Sequence, residues 1–210
     1  WLVFPDRAAP ARLNRFVGGA AMAAVIVTTL AFALPHYRSE AARYAMRREI
    51  DRLPRHPLPP DDERALMTRA RGEFAHATEL DPANARAWAD RAYAIALSSL
   101  REPAQTMQFG REAENYARRA LALSTMVPEF WLRLGVSLDM QGRWLEAGDA
   151  FGKGLSLAPS SPQTWYYQAY HLALNPTGKG LAVAAVAICL RLDPGNREAE
   201  ALRQRLADSR

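Results

Sequence analysis

The sequence predicts an all-α chain of about three and a half stacked helix pairs with a closing helix, preceded by one membrane-spanning helix. Three observations carry this. From Pro128 to Ser161, apolar and small residues recur three and four apart on two stretches separated by a glycine turn, a complete 34-residue unit. Trp88, Trp131 and Trp165 stand at equivalent places in successive units, 43 and then 34 residues apart. Nineteen residues, Phe16 to Leu34, carry no charge.

Residues 1–15 are expected to form a cytoplasmic or inter-helix loop carrying Arg7, Arg12 and Arg15. The chain opens on Trp1 rather than Met and reads as cut from a longer one. Trp1 to Phe4 can be the last turn of a preceding membrane helix or the remnant of a leader.

Residues 16–35 are long enough to span a bilayer core. The competing reading is a secretory signal, because Ala31, Phe32 and Ala33 offer a small-residue cleavage pattern. A buried soluble helix would need a polar side, which this run lacks. Its apolar character rests on Ala and Gly, and Gly19 with Ala23 and Ala20 with Ala24 place small residues four apart, a spacing that permits close helix contact in lipid.

Residues 36–60 are expected to hold a juxtamembrane helix, Ser39 to Leu53, and then a proline-rich linker, Pro54 to Asp62, that spaces the repeats from the bilayer. By arginine count the repeats would be cytoplasmic. That count is weakened because Arg43, Arg47 and Arg48 lie interleaved with Glu40, Glu49 and Asp51 on a helix. Bacterial membrane proteins of this layout project such repeats into the periplasm, so the expectation is the inner membrane with a periplasmic array.

Residues 61–194 form the array. In the complete unit, Trp131, Leu134, Gly135 and Leu138 make one face, and Trp144, Ala147, Ala150, Phe151, Gly154 and Leu155 the other. Small residues at Gly135, Ala147 and Gly154 let two antiparallel helices approach, with Trp131, Trp144 and Phe151 filling the space around them. A second unit places Ala113, Ala117, Ala120, Leu121 and Leu123 in register after a long connection, Leu100 to Gln108. A fourth unit sets Cys189 at the place of Gly154, a core position, and Met67, Ala70, Phe74, Ala77 and Leu80 form a half-unit at the start. Gly178, Lys179 and Gly180 read as a turn. Residues 195–210 are the capping helix, with Ala199, Leu202 and Leu206 as its inward stripe.

The arrangement Trp131, Leu134, Gly135, Trp144, Ala147, Phe151, Pro159 resembles the tetratricopeptide repeat (TPR). The resemblance covers roughly Asp61 to Pro194. It implies a right-handed α-solenoid whose first helices line a concave groove that holds a peptide or partner protein. Counting from the tryptophans, the groove is expected to present Arg86, Ala89 and Tyr93, then Glu129, Leu132, Val136 and Asp139, then Gln163, Tyr166 and Tyr170. Tyr93, Tyr166 and Tyr170 are the expected peptide contacts, or else pack within the solenoid. Family members that grip a chaperone's terminal carboxylate use Lys and Asn where Ala89, Tyr93, Leu132 and Val136 stand here, so that activity is not expected.

A formal net charge of +5 raises nucleic acid as a partner, yet the arginines are scattered among 22 acids and form no basic stripe with interleaved aromatics. No nucleic-acid partner is expected. His36, His56, His76 and His171 stand in no metal-ligand or triad spacing, so the expectation for these residues is no metal, no cofactor and no catalysis. Two functions remain: a membrane-anchored scaffold that binds a partner in its groove, or the tail of a polytopic glycan-transferring enzyme, since the layout is similar to bacterial O-antigen ligases.

Overall fold

The computed structural model describes residues 11–175 and 178–208, with side chains from residue 18 onward. Of the expected loop at 1–15, residues 1–10 lie outside the described residues and residues 11–15 belong to the first helix. Among the described residues the elements are α1 (Ala11–Ile50), α2 (Pro60–Leu80), α3 (Ala85–Ser98), α4 (Thr106–Leu123), α5 (Pro128–Asp139), α6 (Trp144–Leu157), α7 (Pro162–Leu174), α8 (Lys179–Leu192) and α9 (Arg197–Asp208). The long connection before α4 contains a 3-10 turn, Pro103–Gln105.

Local chemistry starts these helices. Proline occupies the first turn of α2, α5 and α7, where its missing N–H costs nothing and its φ is already helical. Asn84 caps α3 by accepting from the Ala87 amide at 3.1 Å. A tryptophan then staples each entry turn. The indole of Trp88 donates to the Pro82 carbonyl at 2.9 Å, that of Trp131 to Thr125 at 2.8 Å, and that of Trp165 to Pro159 at 2.8 Å. Each bond reaches six residues back and ties the start of one helix to the end of the one before.

Residues expected as two separate helices, the span and a juxtamembrane segment, are one element. α1 runs through Pro35 without a break. The proline removes a single intrahelical hydrogen bond, and neighbouring turns carry the helix on. The C-terminal half of α1 is part of the array, because Met46 and Ile50 are buried with Leu66, Met67, Ala70, Phe74 and Ala94. It is the missing partner of the half-unit α2. Of the expected linker 54–62, residues 54–59 are therefore the turn between paired helices rather than a spacer, and residues 60–62 already belong to α2. Their stiffness closes a hairpin whose two arms are held together by core contacts.

Side-chain contacts give the direction of the first helix in each pair. Asn84 meets Ser39 and Glu40, Asp90 meets Arg43 and Arg47, Tyr93 meets Arg133, and Arg133 meets Tyr167. Early residues meet early and late meet late. The second half of α1 therefore runs parallel to α3, α5 and α7, and the second helices pack behind them.

The core is built on close approach. A Cβ at Gly135 would lie 2.7 Å from the Phe151 ring, and one at Gly154 would lie 2.9 Å from Leu132. Phe74, Phe130 and Phe151 are fully enclosed, and each contributes about 2–3 kcal/mol on removal from water. Cys189 is buried and unpaired, and burial pushes its thiol up to about 11. Trp144 departs from expectation: it does not fill the space around the glycines but stands 43 % exposed beside the fully solvated Leu145. It opens α6 just after the turn at Gly142. Leu123 is likewise exposed at the end of α4. α9 closes the stack with Ala199, Leu202 and Leu206 buried.

Candidate functional site

The inner face is made by α1, α3, α5 and α7, and its middle is a chain of alternating charges. Glu40 pairs with Arg43 at 2.8 Å, Arg43 with Asp90 at 2.7 Å, Asp90 with Arg47 at 2.6 Å, Arg47 with Glu129 at 3.2 Å, and Glu129 with Arg133 at 2.5 Å. Arg133 continues it by donating to the Tyr167 hydroxyl at 3.0 Å. Three cations and three anions cancel along this line. Asp90 and Arg133 are buried, so water does little to screen them.

Aromatic rings sit against the ladder. The Arg133 guanidinium lies 3.8 Å and the Arg47 guanidinium 4.7 Å from the centre of the Tyr93 ring, cation–π distances at which a partly desolvated pair is worth about 1–2 kcal/mol. Burial, with the Tyr167 phenol beside it, pushes the Tyr93 hydroxyl up to about 12 against the opposing pull of both arginines. Burial also acts to raise the Glu129 carboxyl, but Arg133 and Arg47 outweigh it and hold the group below its ordinary value.

The expected groove residues divide. Arg86 and Gln163 are exposed, and Tyr93, Val136 and Tyr170 are half-buried on the inner side of their helices. Leu132 is not a groove residue: it is 1 % exposed and packs on Gly154 of α6. Ala89, its equivalent in α3, is buried as well. Tyr166 takes the same place in α7; it is half-buried, as Tyr170 is, and both pack against the core of the last repeat, with burial beside Tyr167 raising the Tyr166 phenol. Asp139 is buried and engaged, accepting from or donating to His171 Nδ1 at 2.8 Å. Its other carboxylate oxygen is enclosed without a partner.

These corrections share one cause. The inner positions are Asp90, Arg133 and Tyr167, each one residue after Ala89, Leu132 and Tyr166. One residue is about 100° of helix rotation, enough to turn a core position into a groove position. The spacing of 43 and 34 is shared by Ala89, Leu132 and Tyr166 and by Asp90, Arg133 and Tyr167, so it gave no signal of which set faces inward. Arg43 and Arg47 carried none, since their partners lie in other repeats.

His171 also touches the Phe151 ring, 5.2 Å between centroids, so it is a packed side chain between α5, α6 and α7. Among the described residues no group of three His, Cys, Asp or Glu side chains is placed to hold a metal ion.

The chain matches no protein-family model and no curated protein. It is similar in structure to the thermophilic TPR protein TTC0263 of Thermus thermophilus, with a TM-score of 0.59 at 17 % identity over 87 % of this chain and 95 % of that one. It is also similar to the HusA haemophore of Porphyromonas gingivalis, with a TM-score of 0.62 at 16 % identity over 82 % and 94 %. The fold is an α-solenoid of tetratricopeptide type.

Proposed function

We propose that this protein is a membrane-anchored interaction scaffold that holds a peptide segment of a partner protein across its inner face. One observation carries the groove: Tyr93, Val136 and Tyr170 stand at equivalent positions of three adjacent parallel helices and are half-buried there. An extended segment crossing the three helices meets one apolar or aromatic contact per repeat. Arg86 and Gln163, exposed on the same side, border this row.

The charge ladder shapes what binds. Because its cations and anions neutralise each other, it offers no net attraction for a strongly charged partner and instead sets register by local pairing. Affinity is assigned to the tyrosines and to Val136. One structural neighbour with this fold is named a haemophore, so the fold alone gives no ligand class and it has to be argued from these side chains.

Anchoring is supported by the first half of α1, where an 18-residue stretch has a mean hydropathy of 1.8 and none of it is buried. Met22, Val25, Ile26, Val27 and Leu30 are all more than half exposed. A helix apolar on every side is stable in lipid and not in water. Placement in a bacterial inner membrane with the array in the periplasm belongs to the same proposal. No feature of the described residues favours the enzyme-tail reading.

The test is site-specific photo-crosslinking in native membranes. A photoreactive side chain at Gln163 or Arg86 captures a defined partner that the same group at Gly152, exposed on the outer helix α6, does not. Equal capture at the inner and outer positions, or none at the inner ones, rejects the groove.

A further inference from the structure

We infer that one rim of the array, formed by the α2–α3 and α4–α5 connections, lies on the lipid headgroups with Leu123 and Met126 entering the interface. The inference rests on residues 16–35 spanning the membrane. Given that span, the fold leaves little freedom in how the array meets the bilayer.

α1 enters the array with no connecting loop, and its second half is locked in place. The Ser39 hydroxyl donates to the Ala77 carbonyl at 2.8 Å, and the Asn84 amide donates to Ser39 at 2.9 Å and to Glu40 at 2.8 Å. Arg43 and Arg47 then join α1 to Asp90. A rigid helix that is both span and first repeat helix carries its orientation into the whole stack.

The level of the bilayer surface follows from His36, which stands two residues beyond Leu34, the end of the uncharged run. Its Nδ1 lies 2.6 Å from Asp81 Oδ2 in the α2–α3 connection. A cavity of about 320 Å³ there is lined by His36, Ala83, Arg86, Ser124 and Val127. It places the α4–α5 connection beside the end of the span. Both loops therefore sit at headgroup depth.

The side chains at that depth suit a lipid surface. Met126 is 73 % and Leu123 47 % exposed, apolar groups that the protein covers only in part. Arg86 is exposed beside them, and Tyr37 and Arg38 emerge from α1 at the same height. Aromatic and basic residues flanking apolar ones are what the interface between lipid and water stabilises. At the opposite rim, α1 has risen by about 20 Å between His36 and Ile50, which carries Leu145 away from the bilayer.

The test uses the full chain in vesicles of phosphatidylcholine and phosphatidylglycerol, with and without brominated acyl chains, bearing a bimane label on M22C, M126C or L145C. The expected result is loss of most emission at M22C and M126C in brominated vesicles and unchanged emission at L145C. Quenching at M22C with none at M126C overturns the rim contact while leaving the span intact. Absence of quenching at M22C removes the span and this inference with it. An M126C emission that is indifferent to bromine and shifts with protein concentration in detergent assigns the rim to a second copy, which also overturns the lipid contact.

Discussion

Asp90 receives a guanidinium on each carboxylate oxygen, Arg43 on Oδ2 at 2.7 Å and Arg47 on Oδ1 at 2.6 Å, and so binds α1 to the second repeat. Arg47 extends the link to Glu129, which lies 82 residues away in the third repeat. One aspartate thus joins α1 to the repeats that follow it.

Replacing Asp90 by Asn leaves both arginines, themselves mostly buried, without their shared anion. The expected cost is about 2–3 kcal/mol, since Arg43 keeps Glu40 and Arg47 keeps Glu129 but both lose the buried carboxylate they share. Urea denaturation of D90N gives the value. The comparison is E200Q on the exposed surface of α9, where the partner Arg203 is 59 % exposed, water screens the pair and the urea midpoint should not move.

Two glycines in one hairpin predict opposite signs. Gly135→Ala brings a Cβ within 2.7 Å of the enclosed Phe151 ring, and the shift it forces costs about 1–3 kcal/mol. Gly152→Ala meets no atom within 4 Å on the outer side of α6 and gains about 0.5–1 kcal/mol from reduced backbone freedom in the unfolded chain. Thermal melts of the two variants should move in opposite directions.

Asp139 gives a pH dependence. Burial raises its carboxyl from 3.8 to about 6, and His171 only partly opposes it. A folded value above the unfolded one means that the folded state holds the proton more tightly, so this stabilisation is complete below 3.8 and is lost as pH rises through about 6. In D139N, which cannot ionise, that loss should be absent. The stability difference between D139N and the parent, followed by urea midpoint across this window, should grow in favour of D139N as pH rises.

Helix existence, pairing and the closing cap were legible because their signals are local. The three- and four-residue periodicity, the prolines at first turns and the tryptophan spacing each act within one or two turns of chain. Ala199, Leu202 and Leu206 are buried as their spacing in α9 predicts. The exposed Trp144 shows the limit of such patterns, since a position in the repeat carries no knowledge of whether a neighbour covers it.

The phase of the inner helices was half legible. Leu132 is enclosed in the core, one residue before Arg133, whereas Tyr93, Val136, Tyr166 and Tyr170 are alike half-buried and packed against it. Both phases satisfy helical spacing, and only the packing of α5 on Gly154 selects between them.

By itself the sequence determined a stack of helical hairpins behind a long apolar helix, because hydrophobic period and turn residues are properties of short segments. Tertiary structure alone decided that residues 36–50 belong to the array and that Arg43 and Arg47 are groove residues rather than a solvated face. Their burial depends on Asp90 and Glu129, carboxylates brought to them by other repeats, and no local pattern in α1 records where those charges will be.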